Sequence, residues 1–155
     1  MNDEPEKLLG VHRSSFILHR LIASIWFGSA LFLIAVAAPA AFTASANRTE
    51  AANVVGAMLT RWLYIALIAP LILLMFEWRR SRPLALVLLF AAVLLASSQA
   101  LVDTRIRIIR MTSPVPVSDL APSDPVRHRF GILHGISSLL LIGQVLVAGA
   151  VVATD

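Results

Sequence analysis

Four long apolar blocks, separated by short polar stretches, decide what this chain can become. Each is about the 20 residues needed to cross a hydrocarbon core about 30 Å thick. The pattern has neither the alternation of a half-buried strand nor the one-sided stripe of a surface helix. The blocks predict spans at roughly 21–42, 58–78, 83–102 and 131–152. Of the 155 residues, 58% are hydrophobic and 14% are charged, against about 25% charged in soluble domains. Almost nothing is left for a soluble part. Residues 1–155 are therefore expected to form one all-α domain, an integral membrane four-helix up-down bundle.

The formal charge of +4 sits at helix ends and in loops, where cations meet lipid phosphates. Membrane lipids are thus the expected partners, and nucleic acid is not. The absence of cysteine excludes disulfides, thiolate metal sites and thiol redox centres. Ala44-Ser45-Ala46 has the small-x-small form of a cleavage site. The three acids ahead of the first block, and an apolar run well beyond about 7–15 residues, argue instead for a retained helix. A bacterial inner membrane is the expected location.

Along the chain, Pro39 falls where the first span should end or bend. Residues 43–50 read as a short polar connection. From Ala51 to Trp78 the pattern is helical and longer than one bilayer, with Trp62, Tyr64 and Trp78 placed for aromatic belts. Pro70 predicts a kink. Arg79-Arg80-Ser81-Arg82-Pro83 is a tight basic connection, with Pro83 at an early helical position. Beyond Ser97-Ser98-Gln99 the third helix continues as a short amphipathic extension suited to the headgroups, and residues 111–127 form a proline-rich loop.

Alternating helix direction lets depth be estimated. With the N-terminal face as side A and the other as side B, Arg61, Gln99 and His134 each lie about 5–6 Å inside the side-B edge, at 1.5 Å per residue. Ser137 and Ser138 sit slightly deeper. These five are the candidate ligand-binding residues, because intramembrane ionisable groups face the bundle interior or a water-filled cavity. Each has a plainer role as well: Arg61 snorkelling to side-B phosphates, and His134 as a neutral imidazole hydrogen-bonded across helices. Gln144 reads as a deeper interhelical hydrogen bond, and Glu77 with Arg80 as a surface pair. Gly131 and Gly135, like Ser24 and Gly28, are four apart and are candidates for close helix packing. His19 and His134 lie on opposite sides, about 20–25 Å of membrane apart, so they cannot share one haem iron. No catalytic residue, metal site or cofactor is assigned.

Trp26-x-Gly28, Ala38-Pro39-x-x-Phe42, Ala51-x-x-Val54-Val55-Gly56 and Phe130-x-x-Leu133-His134-Gly135-Ile136-Ser137-Ser138 follow one another in that order. The series resembles bacterial proteins of the domain-of-unknown-function 4149 type, related to transmembrane-protein-205-like proteins. The likeness runs from about Leu21 to Val152, and its most specific part opens the last helix. Asn53 stands where such proteins often carry glycine, and the third helix lacks their usual asparagine-aromatic stretch. The resemblance implies a four-helix integral membrane protein and no established activity, substrate or cofactor.

With no paired carboxylates in a span, no nucleophile–base pair and no glycine-rich phosphate loop, enzyme chemistry is not the expectation. The leading class is non-enzymatic: binding of a small or lipidic ligand, or accessory packing in a membrane complex. One alternative is a haem- or quinone-linked redox protein using His134. Another is a small transporter or metal-resistance factor acting as a homo-oligomer. Arginines and lysines divide six to each side once Arg61 is set aside. The positive-inside rule favours neither orientation on that balance, and the tight cluster at 79–82 favours side A as cytoplasmic.

Overall fold

The computed structural model describes residues 4–154, with side chains from Phe16 onward apart from that of Arg79. The first rod begins as α1 (Glu4–Phe32), widens into a π-helical turn at Leu33–Ala37 and ends as α2 (Ala38–Ala44). It is followed by α3 (Arg48–Arg80), α4 (Pro83–Thr112) and α5 (Pro125–Thr154). Four helices are long and apolar enough to cross a membrane, and no strand occurs among the described residues. Only 22% to 28% of each apolar stretch is buried inside the chain. The remaining apolar faces, with Ile17, Leu21, Leu94 and Leu139 exposed, suit a hydrocarbon surrounding. The protein is an integral membrane four-helix bundle.

Helix ends follow from local chemistry. Asn47 caps α3 by accepting from Glu50 N at 2.9 Å, while the Glu50 carboxylate accepts from Ala46 N at 3.2 Å. That is a reciprocal capping arrangement, and it shrinks the expected connection at 43–50 to three residues. At the far end Ser81 takes the left-handed conformation (φ 52°) and donates its N–H to Glu77 O. Arg82 is extended, as the residue before a proline must be, and Pro83 opens α4. The expected tight antiparallel hairpin is present. Asp124 accepts from Val126 N at 2.7 Å and starts α5.

Two prolines fall inside helical runs. Pro39 does not end the first helix: the turn just before it widens, so that Ala38 N–H reaches back to Leu33 O. A proline ring clashes with the carbonyl four residues earlier in a regular helix, and a π turn opens the room it needs. Pro70 is buried within α3, which stays helical through it.

Each span packs on its sequence neighbours, and α1 also meets α5, closing the ring. The core is built on small residues from every span, among them Ala23, Ala30, Ala66, Ala92, Ala96 and Ala148, around Trp26, Trp62, Leu73 and Leu89. Trp62 is thus a core residue, with Nε1 donating to Ser29 Oγ at 3.2 Å, and does not belong to an aromatic belt. Tyr64 and Trp78 are exposed near the two ends of α3. The close helix approach expected at Ser24/Gly28 and Gly131/Gly135 is not found within the chain. Ser24 is exposed, and a side chain added at Gly28, Gly131 or Gly135 would meet nothing within 4 Å. Close approach falls instead at Gly149, against the Phe27 ring, and at Gly143, against Leu95.

The extension of α4 past Val102 is uninterrupted helix to Thr112. It does not lie flat at the headgroups. It stands on the side-B end of the bundle, with Asp103 against α5 and Arg110 against α3 and α5. The proline-rich segment contains a 3-10 turn at Val117–Asp119 whose Val117 is buried, so it is folded onto the bundle.

Candidate functional site

A buried ladder of polar side chains joins α4 to α5. Gln99 and Asp103 are four apart on α4, and Ser137 and Gln144 seven apart on α5, so each pair lies on one helix face. Gln144 Nε2 donates to Gln99 Oε1 at 2.7 Å, Gln99 Nε2 donates to Ser137 Oγ at 3.3 Å, and Ser137 Oγ donates to Asp103 Oδ1 at 2.9 Å. Gln99, Ser137 and Gln144 are buried. The ladder runs about 10 Å along α5, from Ser137 toward the middle of the bundle at Gln144.

At its outer end the ladder opens into a groove of about 350 Å³ between α2, α3, α4 and α5. Its lining is apolar at Phe42, Val55, Leu59 and Leu141 and polar at Asn53, Thr60, Asp103, Arg107, Arg110, His134, Ser137 and Ser138. The His134 imidazole is exposed and stacks on Phe130 one turn earlier, with centroids 6.1 Å apart and planes 3° from parallel. Among the described residues it makes no side-chain hydrogen bond to a neighbouring helix, so it is not the interhelical strut its depth suggested. Ser138 Oγ donates to His134 O within its own helix.

Of the five residues expected at this level, Gln99, His134, Ser137 and Ser138 come together and Arg61 does not. Arg61 is exposed and outside the groove, because its neighbour Trp62 points into the core and successive helical residues turn by about 100°. The cation of the site is Arg110. Its guanidinium lies 5.4 Å over the Phe130 ring and its Nη1 is 3.5 Å from Asn53 Oδ1. Gly56 makes room for it, since a Cβ there would stand 3.3 Å from Arg110 Nη1. Asn53 and Arg110 thus line the groove although depth did not single them out, and Asp103 joins His134 there as its depth allows. The period of the α4 extension was the available signal, because it sets Asp103 and Arg110 on one helix face, seven apart.

Beside the groove, under the proline-rich segment, is a second cavity of about 560 Å³, lined by Arg48, Arg110, Arg127 and Phe130 among others. The two share Ala52, Asn53 and Arg110. The segment is tied down by Thr49 Oγ1 and Ser118 Oγ, 3.1 Å apart, and by Arg127 Nη1 donating to Leu120 O at 2.6 Å.

A second polar cluster lies at side A. His19 Nε2 is 3.1 Å from Glu77 Oε1, with the two side chains 1% and 0% exposed, and Arg80 Nη1 reaches the same oxygen at 3.4 Å. The Phe76 ring stands edge-on to the imidazole. Glu77 is therefore no surface partner of Arg80 alone; it is sealed between α1 and α3. No three His, Asp or Glu side chains gather in a metal-holding arrangement among the described residues.

Fold and polar end together define a membrane-embedded helical bundle with a mixed polar and apolar groove at one face. The family model described as Domain of unknown function (DUF4149) matches residues 21–110, more than half of the chain, and the chain belongs to that family. Asp103, Arg107 and Arg110 fall within the matched residues, while the stretch from Phe130 to Ser138 lies beyond them. Neither the curated proteins nor the solved structures contain a match to this chain.

Proposed function

We propose that the protein is a non-enzymatic binder of a small amphiphile, which it takes into the side-B groove. The observation that carries this reading is the division of the groove wall. Phe42, Val55, Leu59 and Leu141 offer a chain-sized apolar surface, while His134, Ser138, Asp103 and Arg107 offer hydrogen bonds in the same groove. Binding sites for small molecules are mostly apolar with a few placed polar groups, and this groove lies at the depth where lipid chains meet their headgroups. The ladder behind it holds Ser137 and Asp103 in place. A bacterial inner membrane with side A in the cytoplasm belongs to the same reading. So does the kinship of the family to transmembrane-protein-205-like proteins.

The test is purification of the full chain in a gentle detergent, followed by mass spectrometry of what it retains. Leu141→Trp, which fills the apolar part of the groove, is compared with the unaltered chain. The expected result is one retained amphiphile class, depleted in the variant. Equal retention of the same lipids by both proteins after washing would sink the proposal.

A further inference from the structure

The cavity under the proline-rich segment shares none of the apolar residues of the grip just described. Three arginines line it from three helices: Arg48 at the start of α3, Arg110 near the end of α4 and Arg127 in the first turn of α5. No acidic residue is in its wall; the other polar lining groups are Thr49, Asn53, Ser113 and Ser118. Three like charges lining one cavity repel one another, and a bound anion relieves that repulsion. Planar guanidinium forks match phosphate oxygens in paired hydrogen bonds.

The three arginines are not equivalent. Arg110 is stacked over Phe130 and touches Asn53, and Arg127 tethers the segment through Leu120 O. Each keeps further N–H donors for a ligand. Arg48 is exposed and, among the described residues, makes no hydrogen bond or ion pair. It is the free jaw of the site. The cavity of about 560 Å³ is within the range of small-molecule sites.

We propose that Arg48, Arg110 and Arg127 form a binding site for a phosphate group. The site shares Ala52, Asn53 and Arg110 with the groove, so a phosphate held here continues directly into the apolar wall formed by Leu59 and Leu141. The proposal deepens the amphiphile reading and rests on it for the chain portion. It makes the ligand a phosphate-headed amphiphile. The guanidinium site itself does not need the chain, and free phosphate offers it the same chemistry.

The experiment titrates the full chain in neutral detergent with three probes: dioctanoyl phosphatidic acid, dioctanoylglycerol with the same chains and no phosphate, and inorganic phosphate. Each is read by native mass spectrometry and calorimetry. Arg48→Gln is the principal variant because that side chain holds nothing else in place, and Arg48→Lys is its conservative partner. Leu141→Trp reports on the groove alone. Phosphatidic acid is expected to bind more tightly than the glycerolipid, and Arg48→Gln is expected to weaken it by about tenfold or more, the effect of one lost charge-assisted contact. Arg48→Lys should restore part of the loss, and glycerolipid binding should be the same in all Arg48 forms.

Equal affinity for both lipids, or phosphatidic acid binding indifferent to Arg48→Gln, overturns the phosphate site and leaves the groove standing. Phosphate binding that is lost in Arg48→Gln, with neither lipid retained, supports the site, identifies free phosphate as its source and overturns the groove reading. If none of the probes binds, both fall.

Discussion

Replacing His19 by leucine, Glu77 by methionine, and both together tests how the side-A end is held. The two side chains are wholly enclosed with Nε2 and Oε1 3.1 Å apart. Burying two polar groups costs free energy that their mutual contact offsets, so the pair as a whole is close to neutral. Removing one partner keeps the burial cost and forfeits the attraction. Each single substitution is therefore expected to destabilise by about 2–4 kcal/mol. Arg80, 3.4 Å from the same carboxylate oxygen and 24% exposed, softens the His19→Leu case by turning toward the stranded carboxylate. The double variant removes both polar groups at similar volume and should return to within about 1 kcal/mol of the unaltered chain. Unfolding in mixed micelles with increasing dodecyl sulfate, followed by tryptophan fluorescence, measures all four proteins. Trp26 and Trp62 are both in the core and report its opening. Additive single losses in the double variant would refute the reasoning, because they would show that the two side chains contribute separately. Losses below about 0.5 kcal/mol for either single change would refute it as well.

Three further outcomes follow from the packing. Gly149→Leu should cost about 1–3 kcal/mol, because a Cβ there meets the Phe27 ring at 3.1 Å; Gly135→Leu, facing open space, should be near neutral in the same unfolding assay. Gln144→Leu should cost about 1–2 kcal/mol by leaving Gln99 Oε1 without its donor. Gln99→Leu with Gln144→Leu should cost no more than the worse single change, and a double loss equal to the sum would contradict the ladder. Reporter fusions after Ser81 and after Ser118 should report opposite compartments; the same compartment for both would exclude four crossings.

The spans were legible because length alone identifies a membrane helix, and depth could be counted from the ends. Rotation about each helix axis was not. Arg61 and Gln99 share a depth, yet Gln99 is enclosed against Ser137 while Arg61 is turned outward beside the inward Trp62. An almost uniformly apolar helix carries no stripe from which that rotation can be read. Gly131-x-x-x-Gly135 has the same spacing whichever way it faces, and it faces outward. His19 with Glu77 was hidden for another reason. Glu77 already had Arg80 three residues away, which looked like a sufficient partner, and His19 sits at the polar edge of its apolar block, where a histidine reads as interfacial. Arg110 was hidden by its position beyond the apolar block, where charge reads as solvated surface.

The wide turn at Leu33–Ala37 also sets an angle. Each residue of a regular helix advances the side chains by about 100°, so a turn that takes in one extra residue offsets everything after it by about that amount relative to α1. Phe42 lines the groove from α2, five residues beyond the turn. Its aim is therefore fixed by a phase slip that Pro39 maintains from three residues upstream. A chain that exchanged the proline and closed the turn would keep the same helix and the same length. It would point a different residue at the groove.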